Sequence, residues 1–340
     1  MSSRATNLGL LVLVLAGGVT GLGSFLSGDT GSRWILWAHS LAGFAIIPLL
    51  YWKRQIILRS IRRHGAGIWA IPSLLLLALL LASLALGILW STIGLPALAG
   101  ESALTLHAAL SLALAMLLFP HARAGWPGLS PARPGRRALL KSVMFLGTAT
   151  LLWRGSEVLS AGAGLSGAGR RFTGSRPAAA FSGNDFPSNN WLLDNPRPIE
   201  RAAWRLSVAG TVSSPLLLAL DDLEIPATVT ATIDCTGGWF STQDWAGVPL
   251  RQLLVAAMVA PGTRSIVVRS TTGYWRRLSL AQAATAVLAL EVGGVPLAHE
   301  HGAPLRLVVP GCRGYDWVKW VTSIEASGLP SWWKWPLPLS

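Results

Sequence analysis

"DCTGGWFSTQDW", residues 234–245, sets Cys235, one of only two cysteines in the chain, ahead of two glycines and two tryptophans. A thiol in such a turn is unusual as core material. The other cysteine, Cys312, lies in "VVPGCRGY" (308–315). In an oxidising compartment the two are candidates for a disulfide, so the reading of Cys235 depends on the rest of the chain.

Around this stretch, short apolar runs alternate with turn residues. "WRLSVAG" (204–210), "ATVTATIDC" (227–235), "RSIVVRS" (264–270) and "LRLVVPG" (305–311) read as strands, whereas "GVPLRQLLVAAM" (247–258) and "LSLAQAATAVL" (278–288) read as helical turns. The pattern predicts an α+β domain over 181–340. Before it, "AGAGLSGAGRRFTGSRPAAA" (161–180) has the composition of a flexible tether.

Residues 1–160 have a different character. Apolar stretches at 8–26, 34–52, 68–90 and 102–120 each approach the roughly 20 residues that a membrane-spanning helix needs. A fifth, 139–160, is interrupted by Arg154 and Glu157, which sit one helical turn apart and can pair. The expectation is an all-α membrane domain of five helices. Lys53, Arg54, Arg59, Arg62 and Arg63 follow the second stretch, and Arg123, Arg133, Arg136, Arg137 and Lys141 follow the fourth. Such basic connections stay cytoplasmic. Five spans then put the N-terminus inside and the 181–340 domain on the extracytoplasmic face. Of the formal net charge of +13, the first 165 residues hold +10 (13 basic, 3 acidic), so the basic excess belongs to these connections and argues against nucleic acid as a partner.

His39 and His107 fall at one depth on the second and fourth stretches. Two imidazoles so placed can ligate a haem iron from opposite faces, and ionisable residues inside spans default to a functional reading. A further layer down, 14 residues along each helix, the fourth stretch offers His121 but the second offers Lys53. An inner haem would need His64, so one outer haem b is expected. This half resembles the b-type cytochromes.

Three blocks then follow in order: "WRLSVAGTVSSPLLLALDDL", "DCTGGWFSTQDWAGVPLRQLL" and "EVGGVPLAHEHGAPLRLVVPGCRGYDWVKWVTSIE". In order and spacing they resemble the sulfite-oxidase-type molybdopterin oxidoreductases, in particular the bacterial branch with the exported methionine-sulfoxide reductase catalytic subunit. The resemblance covers roughly 180–328. It implies that Cys235 gives its thiolate to molybdenum, that Arg306 and Lys319 contact the pterin and its phosphate, and that His301 and Asn189 are further cofactor contacts. Tyr274 falls near a substrate-pocket tyrosine of the family, with Arg276 and Arg277 beside it. The family does not reserve the Cys312 position for cysteine. True sulfite oxidases carry a longer basic insertion after their cysteine, which is missing here, and this weighs against sulfite. "RRALLK" (136–141) resembles a twin-arginine export signal, as a domain folded around its cofactor before export would need.

The sequence therefore predicts a membrane-bound oxidoreductase with a molybdenum–molybdopterin site and haem b. It would exchange electrons with the quinone pool and reduce a sulfoxide or similar S- or N-oxide. Sulfite oxidation is the alternative direction, and a cofactor-free binding module on a membrane anchor is the alternative class.

Overall fold

The computed structural model describes residues 2–64, 71–94, 97–98, 101–124, 136–190 and 194–333, with backbone only at 64, 97–98, 124 and 137–139. The side chains of His64 and Arg137, and Arg133 altogether, lie outside the described residues. The chain forms two compact units: Met1–Phe25 with Thr30–Arg176, and Leu26–Asp29 with Pro177–Ser340.

The first unit is helical: α1 (Ser3–Leu26), α2 (Arg33–His64), α3 (Ile71–Ser91), α4 (Ala103–Ala124) and α5 (Arg136–Gly162). α3 packs on α4 and α2 on α5. Leu10, Ile46 and Leu49 form a small buried cluster, while Val12, Leu15, Val19, Leu112, Met116 and Phe119 stay exposed. Apolar side chains facing outward as well as inward are what a helix surrounded by lipid requires. Four of the helices are long and apolar enough to cross a membrane; α5 is not among them. The expectation of five spans is corrected on this point. α5 forms, and Arg154 pairs with Glu157 at 2.7 Å as its spacing allows, but those charges and its glycines, serines and threonines dilute its apolar content. Four crossings would return the chain to its starting face. The inside N-terminus and outside catalytic domain therefore no longer follow from counting spans. The basic run Lys53–Arg63 belongs to the last turns of α2, not to a loop.

The stretch read as a tether is in fact packed. Gly167 N–H donates to Thr92 O (2.9 Å), Ser166 Oγ to Ile93 O (2.7 Å), Arg176 Nη1 to Gly94 O (2.5 Å) and Trp90 Nε1 to Gly174 O (3.0 Å). These bonds bind 166–176 to the end of α3.

The second unit is α+β, as expected. Its strands are β1 (Arg205–Gly210), β2 (Leu216–Ala219), β3 (Ala227–Asp234), β4 (Trp239–Pro249), β5 (Ser265–Ser270), β6 (Trp275–Ser279), β7 (Val287–Val292), β8 (Val295–Pro296), β9 (Arg306–Val308) and β10 (Val321–Ser327). α6 (Leu250–Ala256) and α7 (Leu280–Thr285) are its short helices. One sheet places β4 between β3 and β7, with β8 and β9 also pairing β7. The other runs β2–β1–β10–β5–β6, with β1 and β10 parallel. Trp204, Leu206, Trp245, Leu250, Leu288, Leu307 and Ile324 belong to the single buried core of this unit. Residues 247–249, read as the start of a helix, end β4, and 287–288, read as a helix end, begin β7.

Candidate functional site

Asp234 and Phe240 are the last cross-strand pair of the β3–β4 hairpin, and Cys235 stands at its tip. The turn closes through Cys235 N–H to Trp239 O (2.8 Å) and Gly238 N–H to Cys235 O (3.1 Å). Gly238 takes φ +93°, a conformation glycine adopts without strain. The Gly237 N–H points at Cys235 Sγ (3.3 Å), the kind of donor that stabilises a thiolate. Burial pushes the thiol above its ordinary range; that amide, Arg313 and Lys319 oppose the shift.

Cys235 opens into a cavity that also receives Asn189, Tyr274, His301, Arg306 and Lys319. The six residues singled out in the sequence, spread over 131 positions, thus meet in one place. Arg306, 2% exposed, donates from Nη1 to His301 O (2.8 Å) and lies over the Trp245 and Trp317 rings at 5.4 and 5.9 Å. Burial lowers it to about 10, with the Cys235 charge opposing. His301 stacks on Phe186 at 3.9 Å between ring centres, and its Nε2 meets Asn184 O at 2.8 Å. A carbonyl only accepts, so Nε2 carries the proton and Nδ1 the lone pair. Burial holds His301 down to about 4.

Lys319 acts as a clasp. Its ammonium lies within hydrogen-bond distance of Glu300 O (2.6 Å), Asn190 Oδ1 (2.6 Å), Ser188 Oγ (2.7 Å) and Asn189 O (3.2 Å), and its three N–H groups fasten 188–190 over the cavity. Burial, then Arg306, lowers it to about 7. Gly302 makes this approach possible: at φ +105°, a Cβ there would lie 3.0 Å from Lys319 Cα. Asn189 Oδ1 accepts from Trp239 Nε1 (2.6 Å) and lies 3.7 Å from Cys235 Sγ.

The tyrosine and the two arginines beside it have separate fates. The Tyr274 hydroxyl donates to the Tyr315 carbonyl, and burial pushes its phenol far up, so it stays protonated. Arg276 Nε reaches Asp316 Oδ1 at 2.8 Å in a buried ion pair. Arg277, on the opposite face of β6 as strand alternation requires, donates to Ser265 and Ser327, both at 2.8 Å, and does not line the cavity. No disulfide joins Cys312 and Cys235; Gln282 Nε2 reaches Cys312 Sγ at 3.1 Å.

Sequence reasoning missed Arg313. It pairs with Asp234 at 2.5 Å, both residues 2% exposed, and donates from Nη2 to Cys235 O (3.4 Å), bracing the hairpin tip from beneath. It also passed over Asp194 and Trp317, which line the cavity.

Three buried polar atoms of residues lining the cavity have no partner among the described residues: Arg306 Nε, Trp317 Nε1 and His301 Nδ1. Unpaired buried donors and acceptors cost about 1–3 kcal/mol each. These three residues line the cavity together with the Cys235 thiol, and two donors, an acceptor and a thiol are the kinds of group that a polar heterocycle carrying a thiophilic metal requires.

The helical unit holds a second arrangement. His39 Nδ1 meets Gly17 O at 2.9 Å, and His107 Nδ1 meets Ser83 O at 2.7 Å. Each Nδ1 therefore carries the proton and each Nε2 a lone pair, the state that metal-bound histidines commonly have. The ring centres are 5.9 Å apart with perpendicular planes. Gly21 and Gly87 make room for the rings, since a Cβ on either would come within 3.1 Å of the facing imidazole.

Residues 193–335 match the family model described as the oxidoreductase molybdopterin binding domain. An uncharacterized oxidoreductase of Bacillus subtilis, YuiH, is 29% identical over 148 residues, covering 42% of this chain and 75% of that one. The mitochondrial sulfite oxidase of Mus musculus is 31% identical over 166 residues, 39% of this chain and 30% of the relative. The protein-methionine-sulfoxide reductase catalytic subunit MsrP of Xanthomonas campestris is 29% identical over 151 residues, 38% of this chain and 46% of the relative. The chain thus spans most of the first relative and less than half of the other two. A cofactor-free binding module is set aside by these matches.

Proposed function

Starting from residues 193–335 as a molybdopterin-binding oxidoreductase domain of the sulfite-oxidase type, and hence from the chain as an oxidoreductase, we propose that it reduces a neutral sulfoxide or similar oxide with electrons drawn from membrane quinol through haem b. The observation that carries this reading is the cavity lined by the Cys235 thiol together with Arg306, Trp317 and His301, each of which has a buried polar atom without a partner among the described residues.

Cys235 Sγ would hold the molybdenum. Arg306 Nε and Trp317 Nε1 would donate to the pterin and His301 Nδ1 would accept from it, each gaining the partner it lacks. The Lys319 clasp keeps Ser188–Asn190 closed over the group and excludes water. When bound, the molybdenum cofactor supplies two-electron exchange of an oxygen atom. Reducing a sulfoxide consumes two electrons and two protons and releases sulfide and water; a quinol oxidised to quinone releases two of each. His39 and His107, whose ring centres lie 5.9 Å apart, would hold the haem iron through their Nε2 lone pairs, and the haem would supply one-electron transfer.

A neutral oxide is favoured over sulfite by Asp194. Its carboxylate lines the cavity and acts on both Lys319 and Tyr274, while Arg276 is held by Asp316 and Arg277 lies away from the cavity. With Arg306 engaged by the pterin and Lys319 by segment 188–190, the charge left to face an entering substrate would be the Asp194 carboxylate, which disfavours an anion.

The test uses the full-length, cofactor-loaded protein. Elemental analysis should give one molybdenum per chain and the reduced spectrum a b-type band. With a dye donor, a dialkyl sulfoxide should be turned over, and sulfite with a dye acceptor should not. Sulfite oxidation as the faster reaction would reverse the assignment.

A further inference from the structure

The His39–His107 layer has a counterpart deeper in the helical unit. Four residues build the first layer: His39 on α2, His107 on α4, and the two glycines that admit their rings, Gly21 on α1 and Gly87 on α3. Fourteen residues along each helix, in the direction that keeps antiparallel neighbours level, stand Lys53, His121, Asn7 and Ser73. Fourteen residues are close to four whole turns, so each falls on nearly the same helix face about 21 Å away. All four line one cavity of about 210 Å³. Lys53 Nζ donates to Asn7 Oδ1 at 3.1 Å across α1 and α2.

This second layer is not a copy of the first. A lysine replaces one histidine, and an amide and a hydroxyl replace the two glycines, so the space that admits a pair of facing imidazoles is filled with hydrogen-bonding groups. The rest of the lining is aliphatic, including Leu10, Leu76, Leu80 and Leu114. The cavity is therefore a mainly apolar chamber with Arg4, Asn7, Lys53, Ser73 and His121 as its polar lining, and no carboxylate lines it among the described residues. About 150 Å³ is enough to take up a benzene ring, so one substituted six-membered ring fits.

We infer that this cavity binds the headgroup of an isoprenoid quinone, which rests on the quinol-driven reading above. One ring carbonyl would accept from Lys53, with the Asn7 amide beside it. The His121 imidazole is placed to hydrogen-bond the hydroxyl of the reduced form, and the leucines receive the start of the tail. A phospholipid headgroup shares the affinity for cations, but a phosphodiester has no use for an aliphatic chamber of ring size, and the two histidines proposed to hold the haem stand on the helices that carry Lys53 and His121.

Detergent-solubilised full-length protein is titrated with decyl-ubiquinone by calorimetry, beside the variant Lys53→Met, which keeps the side-chain length, and Val12→Ala, which alters an exposed face of α1. Saturable binding at one site per chain is expected, weakened at least tenfold by Lys53→Met and unchanged by Val12→Ala. Equal binding to Lys53→Met, no binding to the wild type, or displacement of the quinone by an equimolar amount of phosphatidylglycerol overturns the site. So does a second haem per chain that His121→Ala removes. The b-type spectrum and dye-driven sulfoxide reduction of the wild type report separately on the underlying reading. Their loss with quinone binding intact would sink that reading and leave the site.

Discussion

Asp234→Asn tests the arrangement beneath the cysteine most severely. Asp234 and Arg313 form an ion pair at 2.5 Å with both side chains almost fully buried. The amide is nearly isosteric with the carboxylate, so packing is preserved and only the charge is lost. Removing one partner of a buried pair leaves a desolvated charge and costs about 3–5 kcal/mol. For a unit of this size, each kcal/mol moves the unfolding midpoint by about 2–4 °C, so the drop should be about 6–20 °C. The internal control is Glu325→Gln, which breaks the exposed Arg269–Glu325 pair (3.2 Å, side chains 43% and 44% exposed). Such a surface pair is worth about 0–1 kcal/mol. Both are measured on the cofactor-free full-length chain by thermal unfolding, comparing midpoints of the same transition only, because a chain of two units does not unfold in one step. Replacing both members of the buried pair, Asp234→Leu with Arg313→Met, should recover much of the loss, since a well-packed apolar pair often equals a buried ion pair. Because Arg313 also holds the Cys235 carbonyl, Asp234→Asn should speed maleimide labelling of that thiol. A midpoint for Asp234→Asn within a few degrees of Glu325→Gln would refute the claim that this pair braces the site.

Cys235→Ser should abolish activity at least a hundredfold, serine oxygen being a harder ligand, while Cys312→Ser stays near wild type in a dye-linked assay; equal losses would remove the metal-ligand assignment. Gly87→Leu should eliminate the b-type band as completely as His107→Ala, because its side chain fills the space of the facing imidazole, and a retained band in the visible spectrum would contradict the pair. His301 titrates at about 4 in the folded chain against an ordinary 6.5. The unfolded chain therefore takes up its proton first, and stability falls as pH drops from about 6.5 to about 4. His301→Asn in cofactor-free protein should show a shallower fall of midpoint over that window, and parallel curves would refute it. Lys319→Met should release 188–190 and raise the rate of proteolytic cutting there severalfold, whereas unchanged cutting would show that the clasp does not hold the segment.

The sequence made the helical spans and the four quoted strands readable because their burial is carried by plain apolar runs, whose period and length survive in one dimension. β4, the longest strand, escaped for a physical reason. Its inward positions include Ser241 and Gln243, which are buried and satisfied by Ala179 O at 3.0 and 2.7 Å. A strand with hydrogen-bonded polar groups on its core face inverts the pattern by which strands are recognised, and only the third dimension supplies the acceptor. β7 escaped for the opposite reason: small apolar residues run from α7 into it without a break, so no period separates helix from strand. The same division runs through the site. Cys235, Arg306 and Lys319 stand in motifs whose order can be read along the chain, whereas Asp234 and Arg313 are 79 residues apart and each alone is an ordinary charge. What makes them a pair is burial, which no sequence position states. The second layer of the helical unit carries the point further. Lys53 and His121 were visible as a mismatched pair, but Asn7 and Ser73 acquire meaning only once Gly21 and Gly87 are seen against the imidazoles, because the offset of fourteen can be applied to all four helices only after the first layer is fixed.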